Sequence, residues 1–269
     1  MLMDIIKSYE RKPEPLKFVL PGFLTGTVGT LFSTGGSGKS MFALQACMAI
    51  ACDQPGGDLL NLQPESNGRV YYMSSEETAH VLDNRLHDIT QHMPWQAVHA
   101  IQDRLELQPM YGLRTDLGND DHLRRIIDYA YGARLIVLDT ISRMHRMDEN
   151  SNGDMADLIT RLEKIAADTG AAVLYIHHAN KASSREGSDT EQHASRGASA
   201  LVDNARWGAS IRRMSKDEAE NRGYYVRYDM PKVNYSPPMG TKWFKRGPGG
   251  VLFPRNMREL NKSSSRGGK

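Results

Sequence analysis

A glycine-rich segment near the amino terminus constrains the fold more than any other part of the sequence. Residues 33–40 read Ser-Thr-Gly-Gly-Ser-Gly-Lys-Ser and follow residues 27–32, whose β-branched and apolar side chains predict a strand. Apolar residues at helical spacing then predict a helix from about Lys39 to Ala51. A glycine-rich turn between a strand and a helix is typical of a phosphate-binding loop. The segment therefore predicts an α/β fold with a nucleotide site.

The chemistry of such a loop comes from its backbone N–H groups, which bind phosphate oxygens with help from the positive end of the helix. Lys39 is predicted to reach the β- and γ-phosphates of ATP, and the Ser40 hydroxyl to hold Mg²⁺. Ser33 departs from the usual pattern, which begins with glycine, and Gly35 and Gly36 make this departure tolerable. The predicted nucleotide contacts are Thr34, Gly35, Gly36, Ser37, Gly38, Lys39, Ser40 and Met41.

The rest of the chain alternates strands with helices as far as residue 176. The predicted strands are 69–74, 105–108, 134–139 and 172–176, and the predicted helices include 121–131 and one from about residue 154 that ends before Gly170. This alternation predicts a mainly parallel sheet flanked by helices. After residue 205 short strands follow one another and predict an antiparallel C-terminal extension. The predicted parts are an arm (1–20), one α/β domain (21–254) and a disordered basic tail (255–269).

Composition narrows the classes of protein to consider. The formal net charge of +2 is too small to indicate nucleic-acid binding by itself. No apolar run is long enough for a membrane helix, and charged residues interrupt the N-terminal apolar stretch, which excludes a secretory signal. The two cysteines, Cys47 and Cys52, are predicted to be core thiols in a reducing compartment. We expect a cytoplasmic protein with no membrane partner.

Two carboxylates are candidates for the hydrolytic chemistry. Asp139 ends the buried strand 134–139 and is predicted to contact Mg²⁺, although it could instead cap the turn that follows. The residue after it is Thr140, so the carboxylate that polarises the attacking water must come from elsewhere. Glu76, after the strand 69–74, is the first candidate and Glu77 the second. Either could instead favour the start of the next helix, and this alternative suits Glu77 better.

A histidine pair closes the strand 172–176. Adjacent residues of a strand point to opposite faces, so His177 and His178 are a poor metal site. One of them is expected in the core and the other at the nucleotide pocket. In RecA-like motors the corresponding strand ends in a residue that senses the γ-phosphate, and by register this residue is His178.

Several of these motifs together resemble one family. The chain is similar to the RepA-type hexameric replicative DNA helicases of IncQ-like plasmids over nearly its whole length, apart from the last dozen residues. The block from Ala194-Ser195-Arg196-Gly197 to Asp203-Asn204-Ala205-Arg206-Trp207 is the most specific part of this resemblance. The other matching segments are Gly26-Thr27-Val28-Gly29, Leu138-Asp139-Thr140, His177-His178-Ala179, Lys232-Val233-Asn234-Tyr235 and Trp243-Phe244.

The resemblance implies a RecA-like P-loop NTPase that forms a homohexamer, with ATP bound between neighbouring subunits. Arg206 matches the arginine finger that completes the neighbour's site, and Lys232 is an alternative trans-acting cation. A lone arginine is otherwise most often a surface residue. The resemblance also implies single-stranded DNA in a central channel, contacted by loops 143–153 and 181–196. The basic residues of these loops are Arg143, Arg146, Lys181, Arg185 and Arg196.

Two other functions remain open at this point. A recombination ATPase of the RecA or RadA type would form filaments on DNA, and a non-motor switch protein would use ATP to control assembly without DNA. Within the helicase hypothesis, a replication primase or initiator is a possible partner, because this chain has no second domain for such a task. The N-terminal arm is a hypothetical contact with the adjacent subunit.

Overall fold

The computed structural model describes residues 2–33, 36–178, 199–214, 225–237 and 239–256. Among the predicted site residues, Thr34, Gly35, Lys181, Arg185 and Arg196 lie outside this described part, as does the tail beyond residue 256. The helices are α1 (Ile5–Glu10), α2 (Lys39–Ala51), α3 (Ala79–Thr90), α4 (Trp95–Gln102), α5 (Asp120–Ala130), α6 (Asn152–Thr169) and α7 (Ser199–Asn204). None of the described helices has the length and apolar character that crossing a bilayer requires.

The described strands form a small hairpin and a large sheet. The strands are β1 (Phe18–Leu20), β2 (Phe23–Leu24), β3 (Val28–Ser33), β4 (Val70–Ser74), β5 (Leu105–Pro109), β6 (Leu135–Asp139), β7 (Ala172–His178), β8 (Trp207–Arg213), β9 (Tyr225–Val233), β10 (Lys242–Arg246) and β11 (Leu252–Arg255). The large sheet has the order β11-β10-β9-β8-β3-β7-β6-β4-β5. Its strands from β8 to β5 are parallel, which confirms the predicted fold class.

The antiparallel extension begins one strand later than the sequence pattern suggests. β8 pairs in parallel with β3, with Gly29 opposite Trp207, because the chain returns to the amino edge of the sheet between β7 and β8. Only β9, β10 and β11 are antiparallel to their neighbours. Short successive strands do not reveal this difference, since the direction of β8 depends on the path of the chain before it.

The core lies on both faces of the sheet, because helices cover each face. α2 and α4 pack on one face together with the β1–β2 hairpin, and α5 and α6 on the other. The hairpin belongs to the core: Val19 and Leu20 are buried, and the Phe23 ring stacks on Trp207 with the centroids 4.7 Å apart. The described residues of the predicted arm are therefore exposed only as far as Lys17.

The C-terminal extension holds α2 from one side. The Phe42 ring lies 4.9 Å from the ring of Tyr228 and 5.8 Å from that of Phe244, centroid to centroid. The buried Gln45 side chain donates to the Leu252 carbonyl at 3.0 Å and accepts from the Leu252 N–H at 2.9 Å. Because α2 begins immediately after the glycine-rich loop, these contacts also fix where the loop lies. Nearly every residue of α2 is buried.

Candidate active site

The candidate site lies at the carboxyl edge of the parallel strands. In the sheet Ser33 at the end of β3 is opposite His178 of β7, and Ser74 at the end of β4 is opposite Asp139 of β6. Parallel strands end at one edge, so residues far apart in sequence meet there. The glycine-rich loop follows β3, and α2 starts at Lys39 after Gly38, whose φ of 101° lies in the left-handed region that favours glycine.

Lys39 is buried at the centre of this edge. Its Nζ donates to the Ser33 carbonyl at 3.2 Å and lies 3.2 Å from His178 Nδ1. Burial lowers the pKa of Lys39, whereas the charges of Asp139 and Glu76 act in the opposite direction. A buried ammonium between these groups is well placed to bind an anion.

Asp139 is almost completely buried, and its two carboxylate oxygens have different surroundings. The Tyr72 hydroxyl donates to Oδ2 at 2.5 Å, whereas Oδ1 has no hydrogen-bond partner among the described residues. Burial raises the pKa of Asp139, and hydrogen bonding from Tyr72 and Ser40 lowers it. An orphaned carboxylate oxygen beside a serine hydroxyl fits Mg²⁺, which prefers hard oxygen ligands. The described residues hold no group of three acidic, histidine or cysteine ligands, so such an ion would also rely on the phosphates.

Glu76 faces the other groups of the site. Its carboxylate accepts from the Thr140 hydroxyl at 3.0 Å and lies 3.4 Å from Arg143 Nε and 3.7 Å from His178 Nε2. Glu77 instead forms an ion pair with Arg85. It does not cap α3, because the N-cap is Thr78, whose side chain accepts from the Val81 N–H.

The two histidines at the end of β7 lie in different surroundings. His177 is buried, and burial lowers its pKa to about 4, with a smaller contribution from the neighbouring positive charges of His178 and Lys39. His178 is more exposed and lies between Lys39 and Glu76. The ring of His178 thus connects the predicted phosphate-binding lysine to the predicted base.

Arg206 and Lys232 lie at the opposite edge of the sheet. The Arg206 N–H donates to the carbonyl of Val28, the first residue of β3, whereas the glycine-rich loop follows the last residue of β3. The length of β3 therefore separates Arg206 from the loop of its own chain, about 16 Å along the strand. Lys232 donates to the Asp203 carbonyl nearby, and the charge of Arg206 contributes to a lowered pKa of Lys232.

The described residues of the predicted DNA loops are both largely exposed. Arg143 lies beside Glu76, and Arg146 Nε lies 3.5 Å from Asp116 Oδ2. Between them, Met144 is buried and ties the loop to the core. The basic residues predicted in the second loop lie outside the described residues.

Sequence reasoning missed four residues of this edge. Ser75 joins the ends of β4 and β6: its hydroxyl donates to the Asp139 carbonyl at 3.0 Å and accepts from the Thr140 N–H at 3.0 Å. Tyr72 orients Asp139, as described above. A signal existed for Tyr72 alone, since a tyrosine in a buried strand needs a partner for its hydroxyl.

The other two missed residues are arginines of the C-terminal extension. Arg213, the last residue of β8, donates to the Gly36 carbonyl, and Arg246, the last residue of β10, donates to the Ser37 carbonyl at 2.9 Å. Nothing in the local sequence distinguishes them from surface arginines.

Comparison with known proteins agrees with this architecture. Residues 1–184 match the AAA domain family. Among solved structures, the chain is similar to the ATPase domain of a replicative helicase, with a TM-score of 0.61 and 12% identity over 94% of this chain and 96% of that one. A KaiC-like protein from Pyrococcus horikoshii gives a TM-score of 0.58 and 17% identity over 90% of this chain and 100% of that one.

A third similar structure is the RadB recombinase, with a TM-score of 0.55 and 14% identity over 85% of this chain and 90% of that one. At these levels of identity the similarities establish the fold, a RecA-like P-loop ATPase domain. Such a domain binds nucleotide, usually together with Mg²⁺.

Proposed function

Because the chain belongs to the AAA domain family and has a RecA-like ATPase fold, we propose that it is a DNA helicase of plasmid replication. In this proposal six copies form a ring that moves along single-stranded DNA and uses ATP to separate the strands of a duplex. The motif resemblance to RepA-type helicases supports this choice among RecA-like ATPases. A primase or initiator would then act with the ring as a separate chain.

The residues at the carboxyl edge would divide the chemistry of hydrolysis among them. Lys39 and the loop N–H groups would bind the phosphates, and Ser40 and Asp139 would hold Mg²⁺, which shields phosphate charge when bound. Glu76 would accept a proton from the attacking water. His178 would respond to the γ-phosphate, because a phosphate beside Lys39 competes for the cation that His178 now contacts at 3.2 Å.

The position of Arg206 is the observation that carries the proposal. Arg206 is exposed at the amino edge of the sheet, beside Lys232, whereas the phosphate loop follows the carboxyl end of β3. A cation in this position can complete only the site of another copy. Shared sites of this kind favour a closed ring, in which each subunit gives Arg206 to one neighbour.

Contact with DNA would come from the loop after β6. Arg143 and Arg146 are exposed, and Arg143 also touches Glu76, so DNA that drew Arg143 away would change the surroundings of the base. Guanidinium groups bind backbone phosphates without regard to sequence. This arrangement offers a route by which DNA would stimulate hydrolysis.

Steady-state ATP hydrolysis with and without single-stranded DNA tests the proposal. We expect strong stimulation by DNA, and no activity in Lys39→Ala with or without DNA. A strand-displacement assay and electron microscopy of the DNA complex then distinguish a ring helicase from a filament-forming recombinase. Hydrolysis that is indifferent to DNA would contradict the helicase and favour a nucleotide-controlled switch.

A further inference from the structure

Two arginines of the C-terminal extension converge on consecutive carbonyls of the phosphate loop. β8 extends beyond the end of β3, since Phe32 is opposite Ser210 and Arg213 lies three residues further on. Arg213 is level with Val226 and Phe244 across the extension, and Arg246 lies two residues beyond Phe244 on the same face of β10. Val226 and Phe244 are buried on the side of the sheet that α2 covers. The register of the extension therefore directs both guanidinium groups towards the loop before α2.

The contacts are close on both sides. Arg213 donates to the Gly36 carbonyl, and Arg246 Nη2 donates to the Ser37 carbonyl at 2.9 Å. A Cβ added at Gly36 would lie 3.1 Å from Arg213 Nη2, and one added at Gly38 would lie 2.7 Å from Arg246 Nη2. Glycine at position 38 is thus required by the arginine as well as by its backbone conformation.

The charges of this pair are not neutralised within the described chain. Neither Arg213 nor Arg246 forms an ion pair with a carboxylate of the described residues. They are close enough for the charge of Arg213 to lower the pKa of Arg246. Two like charges brought together beside a phosphate loop leave a local excess of positive charge, which a polyanion would compensate.

The carbonyl contacts also determine which way the loop N–H groups point. In a trans peptide the C=O and the N–H point in opposite directions. A carbonyl of Gly36 held by Arg213 therefore turns the Ser37 N–H away from the extension, and the Ser37 carbonyl held by Arg246 does the same for the Gly38 N–H. A charged donor on the carbonyl also polarises the peptide group, so its N–H becomes a stronger donor.

We propose that Arg213 and Arg246 are positioning residues for the nucleotide: they orient the N–H groups of Ser37 and Gly38 towards the phosphate chain and raise the affinity of the loop for it. The ligand is the polyphosphate part of the nucleotide, and the base takes no part in the effect. This inference rests on the nucleotide site of the proposed function and is independent of DNA.

Calorimetric titration with ADP and with tripolyphosphate, which has no base, tests this inference. Arg213→Gln and Arg246→Gln should each weaken both ligands by about tenfold, the effect expected from losing a charged hydrogen bond. The matched control is Lys245→Gln, which removes the same charge from the adjacent, exposed position of β10 and should bind both ligands as the wild type does. Wild-type affinity in both arginine variants would overturn the inference.

Two further measurements separate phosphate positioning from a merely structural role. Arg213→Lys and Arg246→Lys keep the charge but lose the planar fork, so they should recover part of the affinity and most of the salt dependence of tripolyphosphate binding. A structural role predicts instead an affinity loss that follows the drop in thermal midpoint and is independent of salt. If a glutamine variant does not fold, its lysine counterpart decides: unchanged affinity there also overturns the inference. Hydrolysis indifferent to DNA would contradict only the helicase proposal.

Discussion

Glu76 and Glu77 are neighbours in sequence with different partners in the fold. Glu76 lies among Thr140, Arg143 and His178, within reach of the phosphate-binding lysine through the histidine ring. Glu77 is paired with Arg85, away from that group. The difference arises because the turn after β4 directs consecutive side chains to different sides. The pair therefore supports a direct test of which carboxylate activates water.

We expect Glu76→Gln to reduce ATP hydrolysis by about 100-fold or more, because glutamine cannot accept the proton of the attacking water. Nucleotide binding should be nearly unchanged, since Glu76 is predicted to act on the water. In Glu77→Gln hydrolysis should stay within a few-fold of wild type, with a loss of at most about 1 kcal/mol in the free energy of unfolding. Single-turnover hydrolysis and nucleotide titration measure both effects, and the opposite ranking would assign the base to Glu77.

At the scale of the elements, α2 and the extension behave as one unit. The ring contacts of Phe42 with Tyr228 and Phe244, and the paired hydrogen bonds of Gln45 with Leu252, join the helix after the phosphate loop to β9, β10 and β11. A shift of α2 would therefore be transmitted to the antiparallel strands. The extension that carries Arg213 and Arg246 is held in register with the loop by these contacts.

We expect Gln45→Ala to destabilise the protein by about 2–4 kcal/mol, because it leaves the buried N–H and carbonyl of Leu252 without their partners. The matched control is Gln102→Ala at the exposed end of α4, with an expected change within about 0.5 kcal/mol. Urea unfolding of the three proteins measures the difference. Equal stability of the two variants would show that the Gln45 bridge contributes nothing to holding the extension.

At the scale of the whole molecule, the two edges of the sheet carry different halves of the proposed site. Lys39, Glu76 and Asp139 lie at the carboxyl edge, and Arg206 with Lys232 lies at the amino edge. One copy of the chain cannot bring these halves together. The proposed ring does so, because the amino edge of each copy would face the carboxyl edge of the next.

Mixing two inactive variants tests this arrangement. Lys39→Ala and Arg206→Ala should each abolish most hydrolysis alone, whereas an equal mixture should recover activity at about one site in four, where an intact loop meets an intact Arg206. The recovery should be measured after dissociation and reassembly of the mixed subunits, with each variant reassembled alone as the control. A mixture no more active than its components would show that the two residues do not act across an interface.

The local sequence was sufficient to predict the phosphate loop, the alternating strands and helices, and the strand ends that carry Glu76, Asp139 and His178. These features depend on hydrophobic period and turn chemistry within short windows, and in a parallel sheet the strand ends meet at one edge. The fold class followed from the same signals and is confirmed by the structure. What these residues do in hydrolysis stays a prediction.

The parallel direction of β8, the inclusion of Val19 and Leu20 in the core, and the placement of Arg213 and Arg246 emerged only from the tertiary structure. Arg213 and Arg246 reach the loop across 177 and 209 residues of sequence, through the register of strands that pair late in the chain. No local pattern encodes such contacts, because an arginine at a strand end looks the same whether it faces solvent or a phosphate loop. The sequence by itself determined the chemistry of the loop, and the packing of the extension decided which cations support it.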